Sequence, residues 1–99
     1  MNDITPEELK QRQAAGETPI ILDVRETWEN EEGHIEGSQN IPLGTLPDKI
    51  ADLEDHKDAE IIVHCKGGGR SASAKALLTQ HGFSNVRNLL GGYSAYKAQ

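Results

Sequence analysis

The sequence has a single cysteine, Cys65, among its 99 residues. A lone cysteine excludes an internal disulfide, and it leaves no second thiol in the chain to resolve an adduct formed on the first. Whatever forms on Cys65 must therefore leave to another molecule.

Long apolar runs are also missing, since no stretch approaches the roughly 20 residues that a helix needs to cross a bilayer. The first residues, Met1 to Ile4, lack the basic and then apolar pattern of a secretory signal. We therefore expect a cytoplasmic protein with no membrane partner.

Positive charge is scarce, with 10 Lys and Arg against 16 Asp and Glu and a net charge of -6. This acidic balance argues against nucleic acid as the main partner. The four histidines show no pair at metal-ligand spacing, so the sequence predicts no metal site.

The length of the chain suits one domain, covering residues 1–99. Strands and helices alternate along it, which predicts an α/β domain of three layers with a mostly parallel central sheet flanked by helices. One helix should begin at Thr5 and Pro6, and another should carry Leu46, Ile50 and Leu53 along a single stripe. Apolar runs place strands at residues 20–24, 39–43, 61–64 and 86–90.

A glycine-rich segment connects the strand at 61–64 to the helix that follows it: Cys65, Lys66, Gly67, Gly68, Gly69, Arg70 and Ser71. The carboxyl end of a strand that leads into a helix is where open α/β sheets bind their ligands. Glycines let successive backbone N–H groups turn toward one point, and the helix N-terminus adds further donors. A thiol among such donors ionises more readily, which makes Cys65 the candidate nucleophile.

The pattern of a cysteine, four residues and an arginine resembles the active-site loop of the rhodanese family of sulfurtransferases. Other landmarks of that family stand in their usual order: Leu22-Asp23-Val24-Arg25-Glu26, Gly33-His34-Ile35-Glu36-Gly37, Asn40-Ile41-Pro42, Gly82-Phe83 and Gly91-Gly92. The resemblance implies a five-stranded sheet, a persulfide on Cys65 and no organic cofactor. It implies a small anionic sulfur donor such as thiosulfate, and cyanide or a thiol, including a protein thiol, as acceptor.

The loop and the resemblance together assign substrate contacts to six residues: Lys66, Gly67, Gly68, Gly69, Arg70 and Ser71. Two of them have a structural alternative. Arg70 could instead tie down the loop's carbonyls or a nearby carboxylate, and Lys66 could be an ordinary exposed lysine.

Other polar residues near the loop are interpreted as structural. His64 should point away from Cys65, because neighbouring strand residues face opposite sides. Asp23 and Arg25 should brace the loops at the carboxyl edge of the sheet. The acidic segment from Glu26 to Glu36 should be a short helix with a solvent-exposed face.

The chain departs from the family pattern at Asn30, Ser38 and Tyr96, where an aromatic residue, alanine and tryptophan are common. These changes bear on packing at the rim of the pocket and leave the loop intact.

The main alternative function is a rhodanese-like module that carries sulfur or regulates a partner with little or no catalysis. A cysteine phosphatase is less favoured, because the related phosphatases have one more residue in the loop. An arsenate reductase usually relays between thiols, and this chain has one. Gly67, Gly69 and Ala72 fit a dinucleotide fingerprint, but the acidic ribose partner expected about 20 residues further on is missing.

Overall fold

A computed structural model describes residues 3–99 of the chain and contains a four-stranded parallel sheet. Its strands are β1 (Ile20–Asp23), β2 (Gln39–Asn40), β3 (Glu60–His64) and β4 (Asn85–Asn88), in the order β2-β1-β3-β4. The four predicted strands are all present; β1, β2 and β4 end one to three residues earlier than predicted, and β3 and β4 begin one residue earlier. The two long apolar runs occupy the centre, where both faces of a parallel sheet are covered.

The fifth strand that the resemblance implied is absent from residues 3–99. Ile4 forms only an isolated parallel bridge with Leu89, next to the end of β4. A longer strand cannot form after Ile4, because Thr5 caps the following helix and Pro6 begins it. The Thr5 hydroxyl accepts a hydrogen bond from the Glu8 N–H at 3.1 Å, as expected of an N-cap.

The described residues contain five α-helices: α1 (Pro6–Ala14), α2 (Thr27–Glu32), α3 (Leu46–Lys49), α4 (Gly69–Gln80) and α5 (Gly92–Ala98). Helices α1 and α5 pack on one face of the sheet and α3 and α4 on the other, which confirms the three-layer α/β prediction. A 3-10 turn at Leu43–Thr45 precedes α3, and a 3-10 segment, Ile50–His56, continues it. The predicted stripe of Leu46, Ile50 and Leu53 is buried, and the helical backbone runs on to His56.

Each face of the sheet has its own apolar cluster, because successive strand residues point to opposite sides. Ile61, Val63 and Cys65 belong to the cluster under α3 and α4, whereas Ile62 belongs to the one under α1 and α5. No helix within residues 3–99 has the length and apolar content to cross a membrane. The carboxyl ends of β1 and β3 meet at one edge of the sheet, where the glycine-rich loop begins.

Candidate active site

The loop between β3 and α4 is held by backbone hydrogen bonds from the start of α5. The Tyr93 N–H donates to the Cys65 carbonyl at 2.8 Å, and the Ser94 N–H donates to the Lys66 carbonyl at 3.0 Å. A Cβ on Gly92 would lie 2.5 Å from the Lys66 carbonyl oxygen, so only glycine allows α5 to approach this closely. The backbone of the nucleophile is therefore held from outside the loop itself.

Hydrogen-bond donors surround the thiol of Cys65, which is 2% exposed. The Gly68 N–H lies 3.0 Å from Sγ, and the Ser71 hydroxyl lies 3.4 Å from it. Gly68 adopts a φ of 117°, a left-handed conformation that glycine tolerates and that turns its N–H toward the sulfur. The loop thus forms a small cup of donors around one sulfur atom.

The thiol is more acidic than an ordinary cysteine. Burial alone would raise the pKa of Cys65, but hydrogen bonds from the Ser71 hydroxyl and from the N–H groups of Ser71, Gly68 and Gly67 outweigh it and lower the pKa. A lowered pKa increases the fraction of Cys65 that is thiolate, and the thiolate is the nucleophilic form of the side chain.

Asn88, at the end of β4, completes the cup and was not identified from the sequence. Its Oδ1 accepts from the Ser71 hydroxyl at 2.6 Å, and its Nδ2 donates to the Gly68 carbonyl at 3.2 Å. The Asn88 N–H in turn donates to Asp3 Oδ1 at 3.0 Å. The only signal in the sequence was the place of Asn88 at the carboxyl end of a strand, where the sheet carries its ligand site.

Arg70 forms a bidentate ion pair with Glu29 of α2, with N–O distances of 2.6 and 3.0 Å. This hydrogen bonding lowers the pKa of Glu29 to about 2 and raises the pKa of Arg70. Glu29 is therefore an exception to the predicted solvent-exposed face of α2, since its side chain is only 11% exposed. The structural alternative for Arg70, binding to a nearby carboxylate, is realised here.

Lys66 is exposed and lines a cavity of about 270 Å³ beside the loop. Trp28 and Lys97 also line this cavity, and Trp28 is 60% exposed. A larger cavity of about 480 Å³ includes Pro19 and Ile21 at the start of β1, at the opposite end of the sheet from the loop. Of these two cavities only the smaller is lined by a residue of the loop, Lys66, and Cys65 itself does not line it.

Asp23 and Arg25 form a buried ion pair at the carboxyl edge of the sheet, where the sequence predicted a structural role for both. Arg25 donates to both Asp23 oxygens, at 2.9 and 2.8 Å, and to the Gly33 carbonyl at 2.8 Å. Asn30 also donates to Asp23, at 2.9 Å. This hydrogen bond gives a structural role to the residue that replaces the family's common aromatic. Burial opposes ionisation of Asp23, but these hydrogen bonds prevail and lower its pKa.

His64 lies on the other side of the strand from the thiol, as alternation predicted. Its ring packs 6.2 Å from that of Tyr93, and Nδ1 is 3.3 Å from the Cys65 carbonyl oxygen. Burial lowers the pKa of His64 and favours the neutral ring. The geometry provides no His64 contact with Sγ that could act as a catalytic dyad.

The other two departures from the family pattern also have visible surroundings. The Tyr96 hydroxyl donates to Gln13 Oε1 at 2.9 Å and links α5 to α1. The Ser38 hydroxyl is buried without a hydrogen-bond partner in the described part of the chain. Among the described residues, neither side chain forms a hydrogen bond with the loop. Within residues 3–99 no group of three or more His, Cys, Asp or Glu side chains is placed to hold a metal ion.

The chain is similar to proteins of one family along almost its entire length. The rhodanese-like domain model matches residues 5–99. A protein of Allochromatium vinosum named sulfurtransferase is 33% identical over 96 residues, which cover 97% of this chain and 88% of that protein. The solved structure of a human single-domain sulfurtransferase superposes with a TM-score of 0.85 at 25% identity, covering 98% of this chain and 96% of the human one.

A second group of relatives is named tRNA uridine(34) hydroxylase. The protein from Escherichia fergusonii is 35% identical over 81 residues, or 78% of this chain. The match spans only 23% of the hydroxylase, so this chain corresponds to one segment of a much longer protein.

Proposed function

This chain belongs to the rhodanese-like domain family, and from that membership we propose that it moves a sulfane sulfur from thiosulfate to cyanide or a thiol through a persulfide on Cys65. Family membership makes it a rhodanese-type sulfurtransferase. The donor, the acceptor and the covalent intermediate are the proposed part. The observation that carries them is the acidic Cys65 thiol inside a cup of backbone donors.

In the first step the Cys65 thiolate attacks the outer sulfur of thiosulfate. The new bond joins Sγ to that sulfur, the sulfur–sulfur bond of thiosulfate breaks, and sulfite leaves with the bonding electron pair. The negative charge of the enzyme moves from Sγ to the outer sulfur. Lys66 is exposed beside the cavity and attracts the anionic donor in an otherwise acidic protein.

In the second step cyanide or a thiolate attacks the outer sulfur, and Cys65 leaves as the thiolate. The N–H groups of Gly67, Gly68 and Ser71 are already aimed at Sγ, so the leaving thiolate is stabilised without reorganisation of the loop. No other redox partner is consumed, because the electron pair of the broken bond returns to Cys65. The product thiolate is ready for another donor, which gives ping-pong kinetics.

Arg70 acts in this proposal mainly by shaping the loop. Both terminal nitrogens of its guanidinium are engaged by Glu29, so its charge is largely neutralised before substrate arrives. Gly69 and Ser71 begin α4 and add its N-terminal donors to the cup. We also propose that the protein acts in the cytoplasm, where a lone cysteine stays reduced.

The second candidate is a rhodanese-like module that carries sulfur for a partner or regulates it without fast turnover. The tRNA uridine(34) hydroxylases favour it, because in those proteins a segment like this one is part of a much longer chain. A reactive Cys65 that accepts sulfur but does not turn over small donors would favour this candidate.

The test is thiocyanate formation from thiosulfate and cyanide, measured over a matrix of both concentrations. Parallel reciprocal plots for the wild type, and no activity for Cys65→Ala, are the expected results. Thiocyanate formation that persists in Cys65→Ala, or its absence from the wild type, would reject the proposal. Hydrolysis of an aryl phosphate is measured beside it, because Cys65-dependent phosphatase activity would reverse the ranking of functions.

A further inference from the structure

Three acceptors compete for the single hydrogen of the Ser71 hydroxyl. The oxygen of Ser71 lies 2.6 Å from Asn88 Oδ1, 3.1 Å from the Gly68 carbonyl oxygen and 3.4 Å from Cys65 Sγ. A hydroxyl donates one hydrogen bond at a time. Because the distance to Asn88 is by far the shortest, the resting hydroxyl donates to Asn88 and not to the sulfur.

The orientation of the Asn88 amide is set by its neighbours. Nδ2 donates to the Gly68 carbonyl at 3.2 Å, which satisfies that carbonyl without help from Ser71. Turning the amide over would place Oδ1 against the Gly68 carbonyl oxygen, two acceptors with no hydrogen between them. Oδ1 must therefore face Ser71.

The charge on Sγ decides where the Ser71 hydrogen is most useful. A neutral thiol can donate its own hydrogen to the Ser71 oxygen, and the hydroxyl then keeps its bond to Asn88. A thiolate has no hydrogen and accepts strongly, since hydrogen bonds to an ionised acceptor are stronger than neutral ones. The hydroxyl then gains more by rotating toward Sγ, which leaves Asn88 Oδ1 without that donor.

We infer that Ser71 and Asn88 form a hydroxyl switch that follows the charge on Cys65, with Asn88 as a positioning residue that holds the hydrogen while Sγ is neutral. The catalytic use of this switch rests on the proposed function. When the persulfide forms and charge moves to the outer sulfur, the Ser71 hydroxyl again donates its hydrogen bond to Asn88. It supplies the hydrogen to Sγ again when Cys65 becomes the leaving thiolate. No bond other than hydrogen bonds changes in the switch.

The switch makes a prediction about how Asn88 variants alter the effect of Ser71. Replacing Asn88 by Ala removes the competing acceptor, so Ser71 stabilises the thiolate more than in the wild type. Replacing it by Leu, which has about the same size and no acceptor, should have the same effect. The lowering of the Cys65 pKa that Ser71 provides should thus be larger in Asn88→Ala and in Asn88→Leu than in the wild type.

The measurement is the pH dependence of Cys65 alkylation by iodoacetamide, which reports the apparent pKa of the thiol without any sulfur transfer. Each Asn88 form is compared with and without Ser71→Ala. One hydrogen bond corresponds to a shift of about half a pH unit to one unit, which such profiles resolve. The neighbouring charged groups are Asp3, which accepts from the Asn88 N–H, Lys66, and Arg70 with Glu29. They are the same in every protein, so their effects cancel in the comparison.

Equal effects of Ser71→Ala in all three Asn88 forms, or the reverse order, would overturn the switch. The comparison also separates it from a structural role of Asn88, because loosening the Gly68 carbonyl shifts the pKa alike with and without Ser71. Ser73→Ala, on the exposed side of α4, is the matched control and should leave the pKa unchanged. If Asn88→Ala does not fold, the comparison of Asn88→Leu with the wild type still decides.

Cyanide release from a preloaded persulfide separates this inference from the proposed function. Ser71→Ala should slow that step several-fold, because Cys65 leaves as a thiolate that has lost a donor. If no persulfide can be loaded on the wild type, the proposed function and the catalytic use of the switch fall together. The alkylation order then still decides whether the hydroxyl responds to the charge on Sγ.

Discussion

Removing the charge of Arg25 while leaving Asp23 in place should strongly destabilise the protein. In Arg25→Met the Asp23 carboxylate loses two of its four hydrogen bonds and keeps those from Asn30 and from the backbone N–H of residue 25. Asp23 is fully buried and Arg25 is 4% exposed, so solvent cannot replace the lost partner. Breaking such a pair from one side typically costs about 3 to 5 kcal/mol.

A loss of this size is a large share of the roughly 5 to 15 kcal/mol that stabilises a domain of this length. It should lower the melting temperature by about 12 °C or more. Urea unfolding at pH 7 measures the loss directly. The matched control is Asp23→Asn with Arg25→Met, which removes both charges and should recover much of the stability because no unpaired charge stays buried.

The difference between Arg25→Met and the wild type should shrink as the pH falls from 7 to 4. In the wild type the pKa of Asp23 is lowered in the folded state. Its contribution to the free energy of unfolding is therefore present above the pKa of the unfolded state, near 4, and is lost as the pH falls through the pKa of the folded state. In the variant, burial without the cation raises the folded pKa, so protonation at low pH relieves the penalty. Besides burial, the charge of Arg25 helps to lower the pKa of His64, which lies 4.0 Å from Asp23. In the variant, proton uptake by His64 at low pH would therefore relieve the same penalty.

The reasoning is refuted if the loss at pH 7 is below about 1 kcal/mol, the range of an exposed ion pair. A loss that stays constant between pH 7 and pH 4 would also refute it, since the cost would then not arise from the buried charge.

Further predictions concern the support and the charge of the loop. Gly92→Ala should destabilise the fold by about 2 to 4 kcal/mol and reduce sulfur transfer, because its Cβ would meet the Lys66 carbonyl and its φ is 62°. Gly67→Ala, with no atom within 4 Å of its Cβ and no positive φ, is the control and should change the unfolding free energy by less than about 1 kcal/mol. Glu29→Gln should lower the KM for thiosulfate roughly two- to fivefold by freeing the charge of Arg70, and cost at most about 1 kcal/mol of stability, because Arg70 is 37% exposed. An unchanged KM would contradict this neutralising role of Glu29. A KM that depends less on salt in Glu29→Gln than in the wild type would contradict it as well.

Local patterns were enough to predict most of the frame around the site. The apolar runs gave the four strands, and the glycine-rich stretch after residues 61–64 correctly marked the turn into α4. Strand alternation separated His64 from the thiol, and the position of Asp23 and Arg25 at the end of an apolar run predicted a structural role at the carboxyl edge of the sheet. Each of these inferences uses residues close together in the sequence.

The contacts that the sequence did not reveal join distant segments. Asn88 is 17 residues from Ser71 and 20 from Gly68, and Glu29 is 41 residues from Arg70. Glu29 stands among several exposed acidic residues, and nothing local distinguishes the one that pairs with the loop. The fifth strand was wrong for a different reason: the resemblance implied it, whereas the local start of α1 at Thr5 and Pro6 leaves Ile4 as a single bridging residue.

The central claim is that Cys65 itself carries the transferred sulfur. The most direct measurement is the intact mass of the protein after thiosulfate treatment, before and after cyanide, for the wild type and Cys65→Ala. A gain of one sulfur atom on the wild type alone, removed by cyanide, is the predicted result. No gain on the wild type, or the same gain on Cys65→Ala, would contradict the account.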